Sequence, residues 1–221
     1  MNFFSIKIKI FLNVFLLLQS INLLAQNKDK QGIFQLPDGT FIAAVGTVDF
    51  KTANIDNDLQ RQDMWCWATC VAMTLRFQGL QVTQEDVVQK AFNILVNEPG
   101  TGNDMVKGAN GRQINGKTIV AYVDNKINPK IIIDDLANKY PLVVGLSNPN
   151  QNVGHAYVLT AIYFTGDIQN NIYPIKVTLR DPWPYKKYNQ TPPPNMDSKG
   201  RIHMSWNEFS SKVNTIVHIT F

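Results

Sequence analysis

Cysteine and histidine are scarce in this chain, with 2 and 3 among 221 residues. Two cysteines cannot build the multi-bridge framework of a small disulfide-held exported domain. Both fall four residues apart on one expected helix, a spacing that seldom suits a disulfide. There is no Cys-x-x-Cys pair, and Cys66, Cys70 and one histidine would supply only three ligands, too few for a structural zinc site. No cofactor is therefore expected. No basic run stands out, so nothing marks a nucleic-acid surface. No apolar run is long enough to span a bilayer: the one at residues 10–18 contains Asn13 and ends at Gln19. Internal repeats and low-complexity tracts are also lacking.

The first residues are present for targeting. Lys7 and Lys9 make a basic start, an apolar run follows, and Leu23-Leu24-Ala25 offers a small residue before Gln26. This pattern predicts a signal peptide over 1–25, cleaved after Ala25, and a secreted or periplasmic protein. No cysteine lies at that boundary to carry a lipid. Residues 26–221 then form one domain of 196 residues, large enough for a real core. Taking Lys7 and Lys9 from the 21 Lys and Arg leaves 19 against 17 acids, about +2. A monomer free of the membrane after cleavage is expected. Residues 26–59 are too few for a large inhibitory pro-domain.

The chain is organised around residues 60–79. From Trp65 onward this stretch is apolar nearly all round, broken only by Thr69, Thr74, Arg76 and Gln78. A helix without a polar face is a buried helix. Gly79 suits its left-handed cap. Cys66 falls in its first turn, where free N–H groups and the helix dipole stabilise a thiolate. Cys70 reads as a small core residue.

Before this helix, residues 33–45 read as a hairpin around Pro37-Asp38-Gly39, and 54–58 as loop. After it, Thr83 caps a helix whose apolar face is Val87, Val88, Ala91, Phe92 and Leu95. Residues 98–116 are rich in Gly and Asn and read as loop with room for a short helix. Residues 131–140 read as a helix ending before Pro141, and 142–146 as a buried strand. Residues 147–154 are a polar turn. Strands follow at 156–164, 175–179 and 201–204, with a turn at 165–171 and an irregular Pro-rich stretch at 182–195. A helix capped by Ser205 and a closing strand at 215–221 end the chain. Helices come first and strands afterwards, which is an α+β pattern.

A cysteine nucleophile needs a base. His203 lies among polar residues, and His218 sits inside the last apolar strand as a core or edge residue. His155 opens the strongest strand directly after Gly154, where a strand end can aim a side chain into a cleft. Its orienting partner is Asp181. The turn between the two strands centres near Ile168, with His155 thirteen residues before it and Asp181 thirteen after. In an antiparallel pair such residues stand opposite each other on one face.

Cys66-Trp67-Ala68, with Gln60 six residues upstream, resembles the active-site segment of papain-like cysteine peptidases. Plant and lysosomal members carry Cys-Gly-Ser before the nucleophile. This chain has Asp63-Met64-Trp65, which turns the resemblance toward two bacterial branches. One comprises secreted and effector proteases related to a plant-pathogen avirulence protease. The other comprises the peptidase domains that process bacteriocin leaders. Gly154-His155-Ala156 is similar to the base segment, and Asp181-Pro182-Trp183 to the orienter segment. Trp183 matches a residue that shields the base–orienter pair; a loop Trp packing on the core is the other reading.

The resemblance implies a papain-like fold. Its N-terminal helical part holds a buried central helix carrying the cysteine. Its C-terminal antiparallel sheet carries the histidine and aspartate. It implies peptide hydrolysis through a thioester on Cys66, with His155 as base, Asp181 as orienter and Gln60 donating to the oxyanion, Gln62 being the competitor. The substrate would be a protein or peptide. An acyltransferase using the same triad with an amine acceptor, or a non-catalytic papain-like binding module, remain the alternatives.

Overall fold

The computed structural model describes residues 32–46, 50–51, 59–147, 154–167 and 171–221. The 1–25 targeting segment and the loop expected at 54–58 lie outside them, as does most of the turn expected at 147–154.

A short hairpin opens the described chain: β1 (Ile33–Gln35) and β2 (Phe41–Ala44), joined through the Pro37-Asp38-Gly39 turn. Gly39 adopts φ +86°, a conformation open to glycine at no steric cost. Helices follow. They are α1 (Cys66–Phe77), α2 (Gln84–Phe92) and α3 (Gly102–Ala109). A two-stranded ribbon, β3 (Gln113–Ile114) with β4 (Lys117–Thr118), leads to β5 (Val120–Asp124). Then come α4 (Pro129–Ala137), β6 (Leu142–Leu146), β7 (His155–Gly166), β8 (Ile172–Arg180), β9 (Arg201–Ser205), α5 (Trp206–Lys212) and β10 (Val213–Thr220). The main sheet runs β1-β2-β7-β6-β10-β5, with β8 paired to β7 and β9 paired to β8. All its ladders are antiparallel. The fold is α+β, with the helix that bears Cys66 packed on β7, the strand that opens with His155.

The burial of α1 follows from its sequence. Residues 67–76 are all buried, Thr69, Thr74 and Arg76 included. Two of the polar exceptions are bonded locally: Thr69 Oγ1 donates to the Trp65 carbonyl, and Arg76 Nη1 to that of Val82. Gly79 takes φ +100°, and its N–H and that of Leu80 return to the carbonyls of Arg76 and Leu75. This is a Schellman end, which satisfies carbonyls the helix leaves open.

Several boundaries differ from expectation. α2 stops at Phe92 because Asn93 turns left-handed at φ +61°, so Leu95 leaves the apolar face and is exposed. α3 forms inside the Gly- and Asn-rich stretch because Thr101 and Asp104 close a reciprocal capping box. α4 starts two residues early, with Asn128 as cap and Pro129 at its first position. β5 has no counterpart in the sequence reading; it is an edge strand that exposes Val120 and Tyr122 and buries only Ala121.

The β7–β8 hairpin has two register irregularities that cancel along its length. Gly166 stands opposite Ile172, so the midpoint is 169 rather than 168. One step beyond the Val158–Arg180 pair, Asp181 falls beside Tyr157 instead of His155. His155 and Asp181 are thus diagonal neighbours, still within reach across the ladder.

α2 and α3 approach closely at Gly108, where an added Cβ would stand 2.7 Å from Val87 Cγ1. Gly108→Ala should gain about 1 kcal/mol in helix propensity and lose about 1–3 kcal/mol to overpacking. A lowered urea midpoint is expected; a raised one would show that Val87 yields.

Candidate active site

Cys66 is the first residue of α1, and Trp65 ahead of it offers no side-chain cap. The first N–H groups of the helix therefore remain for another acceptor. Two indoles flanking the cysteine tie the helix entry to the next wall: Trp65 Nε1 donates to the Val96 carbonyl at 2.7 Å, and Trp67 Nε1 to that of Glu98 at 3.1 Å. The backbone at Gly100 approaches Trp67 so closely that a Cβ there would fall 2.3 Å from its ring.

His155 opens β7 paired with Leu146. Gly154 is needed before it, because a Cβ there would stand 2.7 Å from the Leu146 carbonyl oxygen. The His155 ring meets Tyr157 edge-on, with centroids 4.7 Å apart. Its Nε2 lies 2.7 Å from Asp181 Oδ1. A carboxylate only accepts, so Nε2 carries the proton and Nδ1 is left to face Cys66.

Asp181 is buried, its side chain 2% exposed, and it accepts three bonds. Oδ1 takes His155 Nε2 and the Trp183 N–H; Oδ2 takes the Tyr185 hydroxyl at 2.6 Å.

The electrostatics follow from these contacts. Burial alone would raise the Cys66 thiol. The His155 hydrogen bond and charge, with the backbone N–H groups of Ala156 and Trp67, outweigh it and hold the thiol below its ordinary range. Burial would lower the His155 imidazole, but Asp181 and Cys66 push it up to about 10. Both shifts favour a thiolate beside an imidazolium. Cys70, one turn along, is fully buried, and burial pushes its thiol well up. Both cysteines are free.

The cleft measures about 730 Å³ and runs between Trp67, Gly100 and Thr101 on one side and Tyr157, Trp183 and Tyr185 on the other. Cys66, His155 and Asp181 all line it.

Of the residues singled out from the sequence, these three come together. Gln60 is placed differently. It is buried, and its Nε2 donates to the carbonyls of Gln62 and Asp63, each at 2.8 Å. Both amide hydrogens are thereby spent on the turn before α1, while Oε1 is buried without a partner. Gln62 is exposed. Trp183 stacks its ring on Tyr188 and reaches Asp181 through its backbone. His203 lies between Thr178 and Asp197, and His218 is buried against Asp135 and Tyr122; neither lines the cleft. The sequence reading missed Tyr157 and Tyr185. The signal for Tyr185 was available in the alternation Pro182-Trp183-Pro184-Tyr185 immediately after the orienter.

With the geometry in place, relatives can be compared. The Peptidase_C39 like family matches residues 52–213, well over half of the sequence. The chain belongs to that family and thus to the papain-like cysteine peptidases. Among curated proteins, none matches it. Solved structures are similar at low identity, and two of them follow. The peptidase domain of Streptococcus ComA, a bi-functional ABC transporter involved in quorum sensing, is 16% identical with a TM-score of 0.49, over 73% of this chain and 95% of that one. Digestive procathepsin L2 from the Tenebrio molitor larval midgut is 10% identical with a TM-score of 0.45, over 81% and 68%.

The ion pair predicts how Cys66 reacts with iodoacetamide. Alkylation should stay fast at pH 7, and Cys70 should remain unlabelled in folded protein. His155→Ala leaves burial opposed only by the N–H groups of Ala156 and Trp67 and moves the thiol upward, so the rate at pH 7 should fall about 10–100-fold. An unchanged rate in the variant, read by mass spectrometry, would show that His155 does not hold the thiolate.

Proposed function

We propose that the chain is an exported cysteine endopeptidase that hydrolyses peptide bonds through a thioester on Cys66. The observation that carries this reading is the continuous contact from Cys66 through His155 to Asp181 at a cleft wall. The thiolate attacks the scissile carbonyl, and the oxyanion forms at the N-terminus of α1, where the Cys66 N–H and the helix dipole favour negative charge. The His155 imidazolium then protonates the leaving amine from Nδ1 while Nε2–H stays on Asp181. Water enters, gives its proton to His155 and releases the acid. Gln60 can add a second oxyanion donor only by releasing the carbonyl of Gln62 or Asp63 to the turn. Family membership supports a protein or peptide substrate. The basic, apolar and small-residue pattern over 1–25 supports export.

The test is hydrolysis of a denatured protein by the exported chain, with products weighed in water and in water containing a free amine. Free carboxyl ends are expected in both. Cys66→Ala should lose at least about 10³-fold in turnover. Cys70→Ser should keep turnover and lose about 1–3 kcal/mol of stability. Products capped by the amine in place of acids would replace hydrolysis with transfer, and full turnover in Cys66→Ala would remove the nucleophile.

A further inference from the structure

Asp181 is followed by Pro182-Trp183-Pro184-Tyr185. Two prolines in four residues fix φ at alternate positions and leave the backbone few routes. The first bend closes on Asp181 itself, whose Oδ1 accepts the Trp183 N–H at 2.9 Å, an Asx turn. The second closes when the Tyr185 N–H donates to the Trp183 carbonyl at 3.1 Å. The loop is then pinned from both sides. The Gln190 N–H bonds the Tyr185 carbonyl at 2.9 Å, and the Gln60 N–H bonds the Pro182 carbonyl at 2.8 Å. This path returns the Tyr185 side chain to the carboxylate four residues behind it, and its hydroxyl donates to Oδ2 at 2.6 Å.

We propose that Tyr185 is a positioning residue for the thiolate–imidazolium pair. Its hydroxyl holds Asp181 Oδ2 so that Oδ1 faces His155, and it draws charge from the carboxylate so that the imidazolium stays acidic enough to protonate the leaving amine. The inference rests on the triad reading given under Proposed function. Oδ1 already serves two donors, and among the described residues Tyr185 is the donor to Oδ2. Without it a buried carboxylate oxygen would lose its partner, which is costly for a group closed off from solvent. The titratable groups that face the His155–Asp181 pair are Cys66 and Cys70 from α1, Tyr157 from β7 and Tyr185 from the loop. Burial, with the Asp181 hydrogen bond and charge, keeps the Tyr185 phenol far above the usual tyrosine range, so it remains a donor at every working pH.

Loss of the hydroxyl concentrates charge on Oδ1. The imidazolium is then held to higher pH and becomes a weaker acid toward the leaving group. In Tyr185→Phe the alkaline limb of kcat/KM against pH should move up by about 0.5–1 unit, and kcat should fall about 3–30-fold at unchanged KM. Incorporating 3-fluorotyrosine at position 185, a stronger donor that preserves the fold, should move the same limb down. In an Asp181→Asn background, Tyr185→Phe should add no further shift, because its route to His155 is gone. If Asp181→Asn moves the limb while Tyr185→Phe and the fluorinated form leave it in place, Tyr185 only fills space and this inference falls while the triad stands. If Asp181→Asn itself changes neither kcat nor the limb, the triad reading falls, and this inference with it.

Discussion

The rest of the structure depends on one buried carboxylate. Asp181 sits just past the end of β8 with its side chain closed off from water. Burying such an ion costs several kcal/mol even after the protein relaxes. Hydrogen bonds to a charged group contribute about 1.5–3 kcal/mol each. Three of them, from His155, Trp183 and Tyr185, are of the size needed to offset that cost. Each donor comes from a different structural source: a strand end, a loop N–H and a side chain delivered by a Pro-rich bend. Remove the register of β7 on β8 or the bend after β8, and the carboxylate loses donors it requires.

The other half of the site is a helix that is almost entirely core. α1 buries every residue from 67 to 76 and leaves its first residue at the cleft. The two cysteines illustrate what position does to one side chain. Cys66 has two backbone N–H groups and the His155 ring beside it, and its thiol is held down. Cys70 has only apolar burial and neighbouring negative charge, and its thiol is pushed up. The same helix therefore anchors the core with one cysteine and presents the other at the cleft.

How far this was legible in the sequence depends on the kind of signal. The apolar run from Trp65 and the glycine at 79 set the limits of α1, because burial on all sides and a left-handed cap both leave marks in composition. β6 is a short apolar run and was placed at 142–146, where it lies. The His155–Asp181 contact was foreseen from strand symmetry. The pairing is diagonal because the turn midpoint sits one residue later, a detail that turn composition does not encode. α3 was obscured by its glycines, since Gly102 and Gly108 serve close packing while Thr101 and Asp104 do the capping. Gln60 was placed by spacing from Cys66, but its amide is drawn into the local turn by two carbonyls. Such a competition between a local acceptor and a distant site is invisible without coordinates.

The central claim is that Cys66 forms a covalent acyl-enzyme with a peptide substrate. The direct measurement is to mix the protein with a slowly turned-over peptide ester, quench in acid within the first turnover, and map the adduct by tandem mass spectrometry. The account predicts one acyl group on Cys66, released by neutral hydroxylamine and absent when His155 is replaced by alanine. An adduct on Cys70, or rapid turnover with no adduct on either cysteine, would contradict it.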